Sequence, residues 1–374
     1  MEENFTITCQ SGLEEVLSKE LIELGLKQVE IGSQTVSFIG DEYLLYKTNM
    51  ALRSGLNVLR LLKTFNASDY DILYFQAKKI HWHKLFTHDK TIRIDVKGYS
   101  PNLTHSQYIL HRVKDGIMDT FRKFFDSQRP SISKDDPDIH ILVYLNGNKV
   151  SIYLDSSGLP LFKRGYRVKH NEAPIKEDLA AGIILQSDWD RKQNVLDPMC
   201  GSGTFLIESF MIANNIPPNI DRKFAFMNWI DFDETVYKKA KEDLKKSIIK
   251  NTTLFQGYDV DNSSIKISNE IIKKLGYEEF IKVEKMDFRK VTKDFNNYFI
   301  VANPPYGERM GKEEDMKDLY IEIGDFLKQR CKNSIASIFT ANLVAGKFIG
   351  LRTCGKIKLY NGKLEARHLK FKIF

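Results

Sequence analysis

The sequence has few cysteines, namely Cys9, Cys200, Cys331 and Cys354 among its 374 residues. It has no Cys-x-x-Cys pair, which argues against a disulfide framework and is typical of reduced thiols in the cytoplasm. No apolar run approaches the roughly 18 residues that a membrane-spanning helix needs. The acidic start, residues 1–4, does not read as a signal peptide. We therefore expect a soluble cytoplasmic protein that does not interact with membranes.

The charge is not strongly one-sided. The net charge of +7 fits a polyanionic partner without requiring one. Residues 1–160 hold 19 Lys and Arg against 20 Asp and Glu, which leaves 37 against 29 for the rest of the chain. If the first half binds nucleic acid, it must therefore use local patches. The candidates are Lys78–Lys84 and a helix that carries basic residues between His111 and Lys123, although charge alone favours solvated helix faces for both.

A proline-rich motif at 303–306, Asn-Pro-Pro-Tyr, directly follows the apolar run Tyr298–Ala302. The run predicts a buried parallel strand, and the prolines end it. Open α/β sheets bind their ligands at the carboxyl ends of strands, so we expect a site here. Asn303 and the Pro304 carbonyl offer hydrogen-bond acceptors, and Tyr306 offers a flat ring. This combination suits a planar amine such as the exocyclic amino group of a nucleobase.

A glycine turn precedes that motif by about one hundred residues. Asn194–Asp197 is a short apolar run that ends on an acid, and the turn after it opens a helix predicted over Thr204–Ala213. Gly201 and Gly203 permit positive φ and the close approach of a ligand. The segment 198–205 is therefore a second candidate binding element.

Two further acids, Asp259 and Asp287, are predicted to end strands. A strand, a glycine turn, a helix and an acid also describe a dinucleotide-binding fold. In that fold the acid lies about 20 residues after the turn. Here Asp259 lies 56 residues after Gly203, which argues against NAD.

Taken in order, these motifs resemble those of class I S-adenosylmethionine (SAM)-dependent methyltransferases that methylate amines. They are Asp197 to Phe205, Gly257 to Asp261 and Asn303 to Met310. Nearly the whole chain is similar to the bacterial THUMP-domain methyltransferases that methylate guanine N2 in large-subunit ribosomal RNA. Segments 158–167, 172–181 and 222–229 carry this similarity further. The chain ends after one methyltransferase domain, which resembles the shorter branch of the family.

The resemblance implies SAM as the cofactor, no metal, and RNA as the partner, with large-subunit rRNA or a precursor particle first. The catalytic residues that it implies are Asn303, Pro304, Pro305 and Tyr306. The cofactor-binding residues that it implies are Ala173, Pro174, Asp197, Pro198, Met199, Gly201, Gly203, Thr204, Phe205, Asp259, Val260, Asp287 and Phe288. Asp197 would contact the methionine end of SAM, Asp259 the ribose and Asp287 the adenine N6. Each acid could instead be only a cap or a turn residue.

The resemblance also implies the domain order. It predicts a ferredoxin-like α+β region over residues 1–65, a THUMP RNA-binding domain over 66–160, and a Rossmann-like α/β methyltransferase domain over 161–374. The last has a seven-stranded sheet with a terminal antiparallel hairpin. Local patterns predict a helix over 13–24, strands over 29–39, 59–65 and 91–96, a helix over 107–125, and a hairpin turn at Asn361-Gly362.

Several alternatives stay open at this point. The same tetrapeptide serves enzymes that methylate tRNA guanine N2, DNA adenine N6 or a protein glutamine, and the fold could persist in a non-catalytic ribosome-assembly factor. Cys200 could be a nucleophile, although enzymes that use one carry it at the later strand end, where this chain has Pro-Pro. His81 and His83 could bind a metal, but no third ligand accompanies them at metal spacing.

Overall fold

The first half of the protein is built on a mixed sheet. The computed structural model describes residues 2–167, 175–306 and 313–374. The strands of the first sheet are β1 (Glu3–Cys9), β2 (Val29–Gly32), β3 (Thr35–Gly40), β4 (Gly55–Asn66), β5 (Thr91–Tyr99), β6 (Ser131–Ile132), β7 (Ile139–Asn146) and β8 (Lys149–Asp155). Its helices are α1 (Glu14–Glu23), α2 (Glu42–Ala51), α3 (Tyr70–Lys78) and α4 (Ser106–Phe124). The strand order is β2-β3-β1-β4-β8-β7-β5-β6.

Strand β4 joins the ferredoxin-like and THUMP regions into this single sheet. Its first half pairs with β1, through contacts such as Phe5 with Arg60, and its second half pairs with β8 as far as Asn66 with Lys149. The boundary proposed between residues 65 and 66 therefore falls at the end of a shared strand. The division of the chain at that point stays a prediction.

The prediction of one strand over 29–39 is wrong. The chain turns at Ser33 and Gln34, so that β2 and β3 form an antiparallel hairpin. Gln34 has a φ of 54°, a left-handed conformation that breaks an extended run. The segment between α4 and β7, which is rich in Ser, Asp and Pro, contains β6, which pairs in parallel with β5.

The second half is a doubly wound sheet. Its strands are β9 (Asn194–Asp197), β10 (Phe255–Asp259), β11 (Ile281–Lys285), β12 (Tyr298–Ala302), β13 (Ser334–Thr340), β14 (Thr353–Asn361) and β15 (Leu364–Ile373). Its helices are α5 (Glu177–Gln186), α6 (Thr204–Ala213), α7 (Glu234–Lys246), α8 (Asn262–Leu275) and α9 (Glu313–Arg330). The order is β11-β10-β9-β12-β13-β15-β14, and β15 runs in the direction opposite to the other six strands. The predicted seven-stranded sheet with its terminal hairpin is confirmed, as are the bounds of α6 and β12.

Among the helices in the described ranges, none has the length and apolar character needed to cross a bilayer.

The two halves share an apolar core. The segment between α6 and β10 leaves the second sheet and packs against the first, where Phe226 lies 4.6 Å from the Tyr46 ring between centroids. Ala240 and Leu244 of α7 are buried in the same cluster. On the opposite side of the junction, Leu13 packs against Gly182 of α5 so closely that a Cβ there would come within 2.6 Å. The halves therefore pack as one body.

Charged side chains are buried at this junction as well. Glu20 accepts hydrogen bonds from the backbone N–H groups of Arg53 and Ser54, at 2.8 and 3.0 Å. Arg164 donates to the Arg53 carbonyl at 2.6 Å and lies 3.5 Å from Glu208. The side chains of Arg164 and Glu208 are 1% and 0% exposed. A buried ion pair of the second half therefore lies at the junction, where Arg164 also bonds to the backbone of the first half.

Candidate active site

The functional residues predicted from the sequence converge at one edge of the second sheet. Strands β10, β9 and β12 are adjacent and parallel, so their carboxyl ends meet there. Gly257 pairs with Asp197, and Ile300 pairs with Leu196. Asp259, Asp197 and Asn303 therefore lie side by side at successive strand ends, where an open α/β sheet binds its ligand.

The glycine turn is held over this edge by backbone hydrogen bonds. The Cys200 N–H donates to the Tyr258 carbonyl at 2.8 Å, and the Gly201 N–H donates to Asp259 Oδ2 at 2.8 Å. Gly201 has a φ of 50°, and no described atom lies within 4 Å of the position of a Cβ there. Gly203, with a φ of 77°, lies instead against Ser268, where a Cβ would come within 2.4 Å of the hydroxyl. One glycine therefore keeps the turn open and the other lets it pack.

Asp197 is buried and has few partners among the described residues. Within these residues its side chain accepts one hydrogen bond, from the Met199 N–H at 3.1 Å, and the residue is 1% exposed. Burial raises the pKa of Asp197 well above its usual range, and the nearby charge of Asp259 adds to the effect. A cationic group bound beside Asp197 would offset this cost. The α-ammonium group at the methionine end of SAM is such a cation, so this acid fits the implied cofactor.

Asp259 is partly exposed and organises the turn that follows its strand. Its Oδ2 atom accepts from Gly201, and its Oδ1 atom accepts from the Asp261 N–H at 2.9 Å. Asp261 caps α8 through the N–H groups of Ser263 and Ser264. Val260 between the two acids is 60% exposed and presents an apolar surface beside them.

Asp287 lies just beyond β11 and is bound by an arginine that the sequence analysis missed. It caps the short 3₁₀-helix Phe288–Lys290, and Arg289 donates to its carboxylate at 2.6 and 2.8 Å. The Arg289 hydrogen bonds hold the pKa of Asp287 below its usual value. Phe288 is buried and packs 5.6 Å from Phe326, between ring centroids. No local pattern distinguished Arg289, because Asp and Arg two residues apart are common on surfaces.

Asn303 presents a buried hydrogen-bond acceptor at the end of β12. Its Oδ1 atom is inaccessible to solvent and has no hydrogen-bond partner among the described residues. Pro304 beside it is buried, and Pro305 is partly buried. An unpaired buried acceptor is costly in a folded protein, and such atoms concentrate where a ligand supplies the donor. The site therefore has a place for an N–H group.

Tyr306 is fixed by a residue from the far end of the chain. Its hydroxyl accepts a hydrogen bond of 2.6 Å from the Asn361 side chain, at the tip of the β14–β15 hairpin. The sequence indicated the hairpin through Asn361-Gly362, and the turn is confirmed with Gly362 at a φ of 63°. It did not indicate that the tip reaches Tyr306.

The remaining predicted positions either lie in the glycine turn and the start of α6 or fall outside the described residues. Met199 is partly buried in the turn, and Thr204 and Phe205 are buried in the first turn of α6 behind it. Pro198 is buried at the end of β9. Ala173 and Pro174 lie outside the described residues, as does the motif extension at 307–310, so their predicted roles stay predictions.

The described residues give no support to Cys200 as a nucleophile or to His81 and His83 as metal ligands. Cys200 is buried, and burial raises the pKa of its thiol well above the usual value, which disfavours a reactive thiolate. His83 stacks on Phe124 with 3.8 Å between ring centroids. In the described part of the chain, no cluster of three or more His, Cys, Asp and Glu could hold a metal ion.

Comparison with known proteins agrees with this geometry. A family described as RMKL-like, methyltransferase domain, matches residues 164–370, and a THUMP domain and an RlmL ferredoxin-like domain match residues 67–155 and 4–59. A Synechocystis protein provisionally named an RNA methyltransferase is 34% identical over 371 residues, which cover 98% of this chain and 96% of that protein. The ribosomal RNA large subunit methyltransferase K/L of Aliivibrio salmonicida is 34% identical over 369 residues. These cover 97% of this chain and 52% of that protein, so the chain spans about half the length of that relative.

The fold is also known from crystal structures. A provisionally named methyltransferase in complex with S-adenosylhomocysteine (SAH) superimposes with a TM-score of 0.89 and 29% identity, over 100% of this chain and 98% of that one. The sheet order, the terminal hairpin and the acids at the strand ends define a class I methyltransferase that uses SAM. The chain belongs to the family of methyltransferases with an RMKL-like catalytic domain behind a THUMP domain. The predicted family, fold and cofactor are confirmed.

Proposed function

We propose that this protein methylates the exocyclic N2 amine of a guanine in large-subunit ribosomal RNA. The buried, unpaired Asn303 Oδ1 atom at the end of β12 is the observation that carries this proposal. An aromatic amine offers the N–H donor that this acceptor lacks. The name of the Aliivibrio relative supports ribosomal RNA as the substrate class, and the THUMP match supports RNA as the partner.

The three acids would divide the recognition of the cofactor. Asp197, buried and short of partners, would accept from the ammonium group at the methionine end. Asp259 would accept from the ribose hydroxyls, since part of its carboxylate is exposed beside the open turn at Gly201. Asp287 would accept from adenine N6 with the lone pairs that Arg289 leaves free. The other predicted contacts, including Ala173 and Pro174, are proposed from the family resemblance.

The chain's own groups would act mainly on the amine. Asn303 Oδ1 and the Pro304 carbonyl would accept the two N–H bonds of the guanine amine and turn its lone pair towards the methyl donor, while Tyr306 would stack on the base. Bound SAM supplies an electrophilic methyl group on a sulfonium, and sulfur keeps the electron pair of the broken C–S bond. The new N–C bond leaves an acidic ammonium, which then loses its proton. No strong general base is required of the protein.

The THUMP region would hold the RNA. The two basic patches considered from the sequence are brought together, because His83 from the first patch stacks on Phe124 at the end of α4. Lys123 lies over the same ring, with 5.4 Å from Nζ to the centroid. Aromatic rings among basic side chains favour contact with nucleic acid. We propose this surface as an RNA contact.

Replacing the target guanosine by inosine tests the proposal. Inosine lacks only the N2 amino group, so binding of the RNA should persist while methyl transfer from labelled SAM disappears. Nucleoside analysis of the methylated native RNA should give N2-methylguanosine. Continued transfer to the inosine RNA, or an N6-methyladenosine product, would overturn the assignment of the acceptor.

A further inference from the structure

A groove of about 280 Å³ opens beside the candidate active site. It lies between the segment that follows β13 and the terminal hairpin. Side chains and backbone from β13, the following segment, β14 and β15 line it, among them Thr340, Leu343, Lys347, Leu351, Lys356 and Arg367. Nothing in the proposed methyl transfer uses these residues.

The groove opens at the same sheet edge as Asn303. Strand β12 pairs with β13 in parallel, with Ala302 beside Ile338, so Thr340 at the end of β13 lies next to the start of the Asn-Pro-Pro-Tyr motif. The Thr340 hydroxyl is 2.5 Å from the Tyr320 hydroxyl in the core beneath. The other wall belongs to the hairpin whose tip holds Tyr306 through Asn361. An RNA strand that continues from the proposed acceptor position at Asn303 would therefore pass next to this groove.

The lining combines positive charge with apolar surface. Lys347 and Lys356 are exposed, and within the described ranges neither forms an ion pair. Arg367 is paired with Glu365 at 2.7 Å, so its charge is partly neutralised. Among the described lining residues there is no carboxylate, and Leu343 and Leu351 give the groove an apolar face. Two lysines without an ion-pair partner among the described residues, beside an apolar face, suit a phosphate backbone with an unpaired base.

We infer that this groove holds single-stranded RNA immediately next to the methylated nucleotide, with phosphates at Lys347 and Lys356 and a base against the leucines. The inference rests on the proposed function, because it takes the acceptor to be a nucleotide at Asn303. A guanine that has been flipped out of a stem leaves unstacked neighbours, and these need a surface of this kind. The groove thereby provides an RNA contact close to the candidate active site, in addition to the proposed RNA contacts of the THUMP region.

The double variant Lys347→Glu/Lys356→Glu tests the inference in the full-length protein. We expect RNA affinity to fall by roughly tenfold or more at moderate salt. The log–log dependence of affinity on salt should become less steep by about 1.4, at about 0.7 for each lost phosphate contact in a single strand. SAM affinity and the unfolding midpoint should stay within error of the wild type. The matched control is Lys332→Glu/Lys372→Glu, which makes the same change in charge on exposed lysines near the amino end of β13, away from the candidate site.

The outcomes separate this inference from the proposed function. If the groove variant binds RNA as the wild type does, or if the control loses as much affinity, the groove is not the contact. A milder Lys347→Ala/Lys356→Ala variant gives the same decision if the glutamates perturb folding. Loss of affinity only in the groove variant supports the inference, whatever nucleoside the wild type produces. If the wild type makes N2-methylguanosine and the groove variant is unaffected, this inference alone fails.

Discussion

The catalytic edge and the junction between the halves both bury polar side chains, but they leave them in different states. At the junction, Glu20 accepts hydrogen bonds from Arg53 and Ser54, and Glu208 accepts one from Tyr166 and lies 3.5 Å from Arg164. At the catalytic edge, Asp197 accepts a single N–H, and Asn303 Oδ1 accepts none from the described residues. Loss of a partner at the junction would leave a buried charge uncompensated, whereas the edge acceptors have at most one partner among the described residues and are available to ligands.

This difference predicts opposite consequences when a side chain in each region is replaced by alanine. Removing a junction carboxylate should leave a buried cation without its ion-pair partner and destabilise the fold. Removing an edge acceptor should leave the fold intact and weaken only binding or catalysis. The following variants test that contrast.

The largest effect is expected at the junction, from Glu208→Ala. Glu208 accepts from the Tyr166 hydroxyl at 3.0 Å and lies 3.5 Å from Arg164, both of them buried. Loss of the carboxylate leaves the Arg164 charge uncompensated, and we expect about 3–5 kcal/mol less free energy of unfolding. Urea unfolding measures this change. Glu234→Ala, which breaks an exposed pair with Lys238 on α7, should cost less than about 0.5 kcal/mol. Similar losses in both variants would contradict the contrast.

At the catalytic edge, Asn303→Ala should lower the rate of methyl transfer by roughly 10²–10³-fold, the usual cost of removing one preorganised hydrogen-bonding group. SAM affinity should stay within a few fold, and the unfolding midpoint should hardly change, because the atom removed has no partner in the described protein. Single-turnover kinetics and calorimetry measure the two quantities. Asn296→Ala, at the amino end of β12, is the control and should leave the rate unchanged. A parallel loss of SAM affinity would place Asn303 at the cofactor instead.

A smaller effect is expected from Asp259→Ala, which should weaken SAM binding by about 1–3 kcal/mol through lost charge-assisted hydrogen bonds. Part of the loss should come from release of the Gly201 N–H, which Asp259 holds at 2.8 Å. The control is Asp261→Ala two residues on, which removes the cap of α8 and should cost about 1 kcal/mol of stability with little change in SAM affinity. Unchanged affinity in Asp259→Ala would exclude Asp259 from the cofactor site.

The smallest effect is a pH dependence of cofactor binding. Burial raises the pKa of Asp197, so the folded protein holds this proton more tightly than the unfolded chain, and its stability falls as pH rises above the usual pKa of an aspartate. A cationic ligand favours the carboxylate, so SAM binding should release up to one proton and should weaken as pH falls. Calorimetry in buffers with different ionisation enthalpies counts these protons. The same release in Asp197→Asn would show that another group titrates.

Local patterns were enough to predict the strand and helix ends that form the candidate site. The apolar run before Asn303 and the prolines after it set the end of β12 at the predicted residue, because both signals act within a few residues. The glycine turn and α6 followed in the same way. The wrong prediction at 29–39 came from a turn without glycine at its left-handed position, where Gln34 gave no local signal.

Long-range contacts could not be predicted in this way. The bond from Asn361 to Tyr306 joins residues 55 positions apart, and the pairing of Glu208 with Arg164 depends on how α6 packs. Arg289 is close in sequence to Asp287, but its choice of partner depends on the 3₁₀ turn between them. Such contacts follow from the fold and not from composition or periodicity.

The shared core of the two halves has a consequence for how the protein is made. Strand β8 completes the first sheet at Asp155, but Phe226 and Leu244, which cover that sheet, are synthesised much later. The amino-terminal half therefore leaves the ribosome with part of its core open and cannot close it until α7 emerges. At the usual speed of synthesis, about 5–20 residues per second, this interval lasts seconds, longer than most domains need to fold. The first sheet therefore stays partly uncovered during translation. We expect chaperones to bind the chain in this interval.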